Sequence, residues 1–279
     1  MTDEVSYAYA VVRTGPGLTS ALEGVEGVAG AAVRLVVDDR SPGSPAATVS
    51  SVPAEDFRES ALRRRLEDLD WLESVARAHH TVIEVLSRHT TVLPLRLATV
   101  YLDDRRVEAM LRQEADDLSA ALARLAGHLE WGVKIYVEPQ RDAEGDGAPT
   151  AAGTADGLSP GRAYLRARRA QRHSREELYR AARQAAERVE AIGAVMAAGH
   201  ARHRAQQGQL AVGTGENVVN DAYLLPNGTA AEFRARVLEA VEGLPGVRID
   251  VTGPWAPYSF AATSAAPAGP RSPATDPTS

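Results

Sequence analysis

Apolar and polar positions follow two different periods along this chain. A period of two, or a short apolar run, predicts a β-strand, and spacing by three and four residues predicts an amphipathic helix. Strands are predicted at residues 6–13, 33–37, 47–52, 90–100, 130–138, 217–225 and 247–252. Helices are predicted at residues 69–86, 103–126, 162–205 and 229–241. The chain is therefore expected to combine helices with sheets.

Two of these strands carry information about their place in a sheet. Residues 6–13 are apolar on both faces, which is typical of a strand in the interior of a sheet. Residues 90–100 contain Pro94, which cannot donate a backbone hydrogen bond to a neighbouring strand. Pro94 therefore predicts an edge strand or a bulge.

The order of the elements predicts an α+β protein with two domains. Strand–helix–strand units at 92–137 and 217–252 indicate an antiparallel sheet with helices on one face, a ferredoxin-like arrangement. The long helical region between them is interpreted as an insertion. The expected parts are an α+β domain at 1–128, a ferredoxin-like domain at 129–260 with a variable insertion at about 139–210, and a disordered tail at 261–279.

The stretch TGPWAPYSF, residues 252–260, is the most informative in the chain. Its two prolines hold the backbone extended or in a turn, because proline fixes φ and lacks an amide hydrogen. Trp255, Tyr258 and Phe260 place three large aromatic rings within six residues. Such a segment either closes the end of a core or presents a stiff aromatic surface to a partner. Burial habits alone favour the core.

This stretch resembles the C-terminal signature of the gas vesicle accessory proteins GvpL and GvpF. Three other stretches are similar to the same family: YAYAVV at 7–12, VLPLRLATVY at 92–101 and LEWGVKIYV at 129–137. Four motifs in order are far more specific than one. The chain departs from the family pattern at Ala256, where a second proline is usual, and at Ala98, near which the family often has a glycine.

The resemblance implies a non-enzymatic accessory protein that supports gas vesicle assembly. It implies binding to the small, very apolar shell protein and to other gas vesicle accessory proteins. It also implies a modified ferredoxin-like C-terminal domain with a variable insertion. The candidate partner-binding residues are Trp255, Tyr258 and Phe260, Pro94 and Leu95 on the predicted edge strand, and Leu178, Val189 and Ile192 on the long helix.

Composition narrows the chemistry and the location. The chain has no cysteine, which excludes disulfides and thiolate metal sites. Its net charge of −6 argues against a protein that binds nucleic acid with its whole surface. No apolar run approaches the ~18 residues that span a bilayer, and no hydrophobic signal core follows the acidic start. We therefore expect a cytoplasmic protein that binds neither nucleic acid nor membrane, and the resemblance implies that it is associated with the gas vesicle.

Residues 162–204 are strongly cationic, with eleven arginines against four glutamates. This stretch carries +7 within a chain of net charge −6, so the remainder carries −13. One interpretation is a cationic arm for nucleic acid or an acidic partner. The favoured interpretation is a solvated helix whose arginines pair with the acidic body, because the aromatic residues expected for single-strand binding are scarce.

The same region contains an apolar seam. Its residues step by four and three along the helix: Leu178, Ala182, Ala185, Val189, Ile192 and Met196. The seam is shorter than the repeats that usually sustain a free coiled coil. We expect it to dock on its own domain, or to pack within a helical hairpin broken near Gly193 and Gly199. Docking onto a partner's helix is the alternative.

Few residues form a pattern that indicates a metal site or a catalytic site. His79, His80, Glu84 and His89 cluster on one helix and its exit, so a metal site is conceivable, but His79 lies on the apolar stripe and is interpreted as a core histidine. No phosphate loop, catalytic triad or acid/base pair is present, so we expect no enzyme activity, cofactor or metal. The alternative function is a small-molecule-sensing regulatory module, which ferredoxin-like sheets commonly form. It predicts thermal stabilisation by a metabolite.

Overall fold

The computed structural model describes residues 3–38, 44–65, 67–138, 160–205 and 215–261. Its strands are β1 (Glu4–Val12), β2 (Arg34–Val37), β3 (Ala46–Pro53), β4 (Val92–Tyr101), β5 (His128–Val137), β6 (Gly199–Arg202), β7 (Glu216–Pro226) and β8 (Val247–Trp255). Its helices are α1 (Leu18–Leu22), α2 (Ala54–Phe57), α3 (Glu59–Arg65), α4 (Leu69–His89), α5 (Asp104–Gln113), α6 (Ala115–Leu125), α7 (Pro160–Met196) and α8 (Ala230–Glu239). Much of the predicted tail at 261–279, and parts of the predicted insertion at about 139–210, lie outside the described residues.

The described chain divides into two compact units. The first unit contains the described residues up to Glu130 and again those from Pro254, and the second runs from Trp131 to Gly253. The sequence analysis placed a boundary near residue 128 and assigned everything from there to residue 260 to one domain. In the structure, the residues from Pro254 onward group with the first unit instead.

The first unit is built on an antiparallel sheet with the strand order β2-β3-β1-β4. β1 lies in the interior of this sheet, as the sequence predicted, and every residue of Val5–Val12 is buried. Both faces of β1 are therefore covered. α4 contacts β1 and β4, and its N-terminus is capped by Asp68, whose side chain accepts a hydrogen bond from the Trp71 amide.

β4 is the edge strand of the first sheet, and its pairing with β1 is interrupted. Thr99 is paired with Ala8 and Pro94 with Ala10, so residues 95–98 lie opposite a single residue of β1. Ala98 has a φ of 62° within this bulge, a conformation that residues with a side chain rarely adopt. The prediction made from Pro94, an edge strand or a bulge, is confirmed on both counts.

The second unit is built on a sheet with the strand order β6-β7-β5-β8, in which β6 and β7 pair antiparallel. α7 and α8 contact each other and contribute to the same core as the sheet. Small residues of α7 meet larger ones of the sheet and α8 in this core, which includes Val133, Ile135, Ala182, Ala185, Val189, Tyr223 and Phe233. The predicted class, helices mixed with antiparallel sheet, is confirmed.

Two features of the sequence-based arrangement differ from the structure. β4 pairs with β1 instead of forming one unit with β5, because apolar patterns identify strands but not their partners. Residues 199–202 were predicted as helix and form β6. This strand has only four residues and no β-branched one, so it lacks the composition that indicates a strand.

α7 has two contrasting halves. From Ala182 to its end at Met196, the apolar seam packs in and against the second core. The alternative of a helical hairpin broken near Gly193 and Gly199 does not form, because α7 continues to Met196 and β6 begins at Gly199. Gly193 presses on the Tyr223 ring, where an added Cβ would lie 2.2 Å from Cε1. Every side chain that the structure describes between residues 161 and 177 is exposed.

Candidate functional site

After β8 the chain joins the first unit through a segment that we call the C-terminal segment, Pro254–Ala261. Ala256 belongs to the first core and is 7% exposed, and Pro257 is buried. Tyr258–Phe260 form a single 3-10 turn. The two prolines restrict the backbone to this course. The segment is thus anchored in the first unit by its middle residues.

Two polar side chains hold the end of the C-terminal segment. The Glu130 carboxylate accepts hydrogen bonds from the Ser259 amide and from the Ser259 hydroxyl, each at 2.7 Å. The Arg124 guanidinium donates a hydrogen bond to the Phe260 carbonyl at 2.8 Å. Glu130 is only 9% exposed, and hydrogen bonds to an ionised acceptor are stronger than those between neutral groups. These contacts fix the orientation of the segment.

The anchored segment presents three aromatic side chains, Trp255, Tyr258 and Phe260, which we call the aromatic surface. Trp255 is 40% exposed and Tyr258 is 39% exposed, whereas Phe260 is half-buried. The Trp255 ring centroid lies 5.7 Å from that of His80, and the Tyr258 ring centroid lies 6.4 Å from that of His79. Both interpretations of the segment therefore hold in part: its backbone closes a core, while two of its rings remain accessible.

His79 belongs to a buried polar cluster of the first unit. The Tyr7 hydroxyl accepts a hydrogen bond from the Ala98 amide at 3.1 Å, so we assign its own hydrogen to His79 Nδ1, 3.0 Å away. The imidazole hydrogen then lies on Nε2, which has no hydrogen-bond partner among the described residues. Burial, with a smaller contribution from His80, lowers the pKa of His79 to about 4. The prediction of a core histidine is confirmed, since His79 is buried and hydrogen-bonded.

Other titratable groups beside the aromatic surface also lack a metal-binding arrangement. Burial of the phenol, and then the charge of Glu130, raises the pKa of Tyr258 to about 12, so this hydroxyl stays protonated at neutral pH. His80 and Glu84 approach within 3.6 Å, as their spacing on one helix predicts. In the described ranges, no three or more His, Asp or Glu side chains are grouped to hold a metal ion.

The edge strand β4 adjoins the aromatic surface, because the 3-10 turn of the C-terminal segment contacts β4. Within β4, Pro94 is buried and Leu95 is half-buried, while Leu97 is 38% exposed. The bulge at 95–98 interrupts the row of backbone groups with which a partner strand would pair. The edge therefore offers two short stretches, one on either side of the bulge.

The predicted site residues on α7 lie apart from this surface, in the second unit. Val189 is 1% exposed in the second core, and Leu178 and Ile192 are half-buried. The expectation that the seam docks on its own domain is confirmed. Val189 and Ile192 therefore contribute to the core of the second unit.

Sequence reasoning missed the two side chains that hold the segment, Glu130 and Arg124. Glu130 and Ser259 are 129 residues apart in the chain, so no local pattern connects them. The only available signal was the motif LEWGVKIYV, which contains Glu130. A motif of this kind marks a position without saying what the side chain binds.

None of the helices in the described ranges is both long and apolar enough to cross a membrane. The family model described as gas vesicle synthesis protein GvpL/GvpF matches residues 5–262. The chain is 42% identical over 262 residues to gas vesicle protein L of Streptomyces sp. (strain CB03234), covering 93% of this chain and 94% of that protein. It is 24% identical over 270 residues to gas vesicle protein F2 of Halobacterium salinarum, covering 93% of both.

Two crystal structures support the fold. The gas vesicle protein GvpF from Anabaena sp. PCC7120 aligns with a TM-score of 0.61 at 18% identity, covering 94% of this chain and 98% of that one. GvpF from Microcystis aeruginosa aligns with a TM-score of 0.59 at 18% identity, covering 92% and 99%. At these identities the structures inform the fold alone, whereas the family model and the 42% identical relative establish kinship. The chain therefore belongs to the GvpL/GvpF family of gas vesicle synthesis proteins.

Proposed function

We propose that this protein is a non-enzymatic accessory protein that binds the hydrophobic shell protein and supports gas vesicle assembly. It acts in the cytoplasm, in association with the gas vesicle and with other gas vesicle accessory proteins. Its contact with the shell protein is the aromatic surface of the first unit. The observation that carries this proposal is the exposure of Trp255, at 40%, on a segment held by a core alanine and by polar contacts.

Rigid aromatic side chains suit this task. An apolar protein face associates with other apolar faces unless a partner covers it. Trp and Tyr bury about 150–250 Å² each. Because the backbone of the C-terminal segment is already fixed, binding requires little further ordering, and more of the contact energy appears as affinity.

The neighbouring edge strand extends the proposed contact. A partner in extended conformation can add to the free edge of β4 through backbone hydrogen bonds. The bulge that starts after Pro94, with Leu95 as its first residue, limits this pairing to short stretches. Short stretches bind a partner reversibly, as a protein that delivers subunits to a growing wall requires.

We also propose that the second unit is a modified ferredoxin-like domain. From β5 onward its described elements run strand, helix, strand, strand, helix, strand, the order of that arrangement. On this proposal α7 is the first of its two helices, and Val189 and Ile192 are structural residues outside the contact with the shell protein.

A capture experiment tests the proposed contact. Purified shell protein is incubated with the immobilised full chain and with the Trp255→Ala/Tyr258→Ala double variant. We expect capture to fall by about tenfold, because each large aromatic anchor of an interface typically contributes more than about 1 kcal/mol.

The matched control is Tyr164→Ala/Leu165→Ala, which removes two side chains that are 63% and 55% exposed on α7. This variant should capture as much shell protein as the unmodified chain. Thermal unfolding of all three proteins shows that they fold. Undiminished capture by a folded Trp255/Tyr258 variant would remove the aromatic surface from the interface.

A further inference from the structure

The exposed half of α7 carries the strongest local charge of the described chain. Residues 162–183 contain eight arginines and two glutamates, and we call this stretch the arginine arm. All eight arginines are exposed: Arg162, Arg166, Arg168, Arg169, Arg172, Arg175, Arg180 and Arg183. The arm begins at the first turn of the helix and reaches the docked seam.

No arginine of the arm forms an ion pair with a carboxylate in the parts of the chain that the structure describes. Arginine–carboxylate pairs do occur elsewhere in those parts, at Arg34, Arg58, Arg63, Arg65, Arg77, Arg112, Arg202, Arg236 and Arg248. The sequence-based expectation that the arginines of this helix pair with the acidic body is therefore wrong for the arm. Within the described ranges, ion pairs therefore do not neutralise the charges of the arm.

This arrangement works against the helix that carries it. Arg168 and Arg172 are four residues apart, and Arg172 and Arg175 are three apart, so like charges neighbour one another on the helix surface. The first turn of α7 contains no acidic residue, although the positive end of the helix dipole favours anions there. A bound anionic partner relieves both conflicts at once.

Several side chains of the arm lie together on one side of the helix. Six side chains along one side of α7 line a shallow open groove: Arg172, Arg175, Glu176, Tyr179, Arg180 and Arg183. Arg175 lies over the Tyr179 ring at 5.6 Å and donates a hydrogen bond to its hydroxyl at 3.4 Å. One guanidinium is thus held in place while its neighbours remain available for a ligand.

We propose that the arginine arm is a docking surface for an acidic, Asp- and Glu-rich segment of a partner protein. The stretch 162–183 contains arginine and no lysine, and the planar guanidinium pairs with a carboxylate through two parallel hydrogen bonds. About twenty residues of helix present these groups over about 30 Å, a length that one partner segment can follow.

Charge and composition favour a protein segment over nucleic acid. The remainder of the chain outside 162–204 carries −13, so a long polyphosphate is repelled by the protein body as it extends beyond the arm. A short acidic segment contacts the arm alone. Within 162–183 the aromatic residues are Tyr164 and Tyr179, and Tyr179 is engaged by Arg175 and Glu216, which leaves few rings for bases to stack on.

Fluorescence anisotropy on the full chain tests this surface. The probe is a labelled oligoglutamate peptide of about 16 residues, and binding should weaken at least tenfold between about 50 mM and about 500 mM salt. The variant Arg168→Glu/Arg172→Glu/Arg175→Glu should lose about tenfold or more of the affinity at low salt. Its helix should persist by circular dichroism, because glutamate and arginine have similar helix propensities.

The matched control reverses three exposed arginines outside the arm, Arg64→Glu, Arg105→Glu and Arg234→Glu. It has the same net charge as the arm variant and should keep the affinity within about twofold.

Equal losses of affinity in the two variants, or no saturable binding of the peptide at low salt, would overturn the proposal. Tighter binding of a DNA duplex of equal charge, lost in the same arm variant, would instead assign the arm to nucleic acid. The Trp255→Ala/Tyr258→Ala variant should bind the peptide normally, so this test is independent of the contact with the shell protein.

Discussion

The two units of this protein use the same arrangement of strands for different purposes. In each sheet the strand order is second, third, first, fourth, as β2-β3-β1-β4 and as β6-β7-β5-β8. In each unit, described helices lie in the chain between the first and second strands and between the third and fourth. The first unit then adds α5 and α6 after its last strand.

The two units differ in the residues that build their cores and in the side chains that they expose. The first core surrounds hydrogen-bonded polar groups, among them Tyr7, Tyr9 and His79, and it anchors the aromatic surface. The second core is built on alanines of α7 and on Tyr223 and Phe233, and its helix continues outward as the arginine arm. The two units thus share a topology and differ in the segments that extend from it.

Acid should lower the stability of the first unit more than that of the second. His79 is neutral in the folded first unit, with a pKa lowered from 6.5 to about 4. In the unfolded chain it binds a proton below its ordinary pKa, so the free energy of unfolding falls as the pH drops from 6.5 toward 4. The loss should total about 3 kcal/mol. Above pH 6.5 this group makes no contribution to the pH dependence.

Urea unfolding at pH 7 and pH 4.5 measures this loss. The variant His79→Gln should lose less stability over the same interval than the unmodified chain, since the group that titrates is gone. Because His79 lies in the first unit, hydrogen exchange resolved along the chain should show the first unit opening first. Identical acid sensitivity of the variant and the unmodified chain would contradict this assignment.

Removing one hydroxyl from each core gives a matched comparison. Tyr7→Phe leaves the Ala98 amide without its acceptor and His79 Nδ1 without its donor, which should destabilise the protein by about 2 kcal/mol. Tyr223→Phe removes a buried hydroxyl that has no hydrogen-bond partner in the described ranges. Because an unsatisfied buried hydroxyl carries a desolvation cost, this change should stabilise the protein by about 1 kcal/mol.

Urea unfolding of both variants at pH 7 provides the test. Both tyrosines are almost fully buried, so differences in solvent exposure cannot account for different results. Equal effects at the two positions would mean that the polar cluster of the first core has no special role in its stability.

The sequence predicted where the strands lie in the chain better than it predicted which strands pair with each other. The apolar run of β1 placed it in a sheet interior, and Pro94 placed β4 at an edge, because both statements follow from the strand itself. The pairing of β4 with β1 joins residues 80 to 95 positions apart, which periodicity does not encode. β6 was missed because four residues carry too little pattern.

The candidate site shows the same limit. Aromatic clustering in the chain identified Trp255 and Tyr258, and the structure exposes both. What fixes them is the contact between Glu130 and Ser259, and nothing near either residue in the sequence indicates it. The arginines of α7 were visible from composition, but only coordinates show that those between 162 and 183 form no ion pair with a carboxylate of the described residues.

The fourth strand of each sheet contains a residue with a positive φ, and the residue type differs between the two. β8 contains Gly253 at a φ of 135°, and β4 contains Ala98 at a φ of 62°. Glycine adopts such angles freely, whereas an alanine in the left-handed region is strained by about 1–2 kcal/mol. Ala98→Gly relieves that strain, but it loses part of a methyl contact with the first core and gives the unfolded chain more freedom. The net expectation is a stabilisation of about 0.5 kcal/mol.

Chemical denaturation measures this change in stability. The control is Ala123→Gly, at an exposed helical position in α6, where glycine should cost about 1 kcal/mol. If both substitutions destabilise equally, the positive φ of Ala98 is not a source of strain, and the resemblance to a family with glycine near this position has another cause.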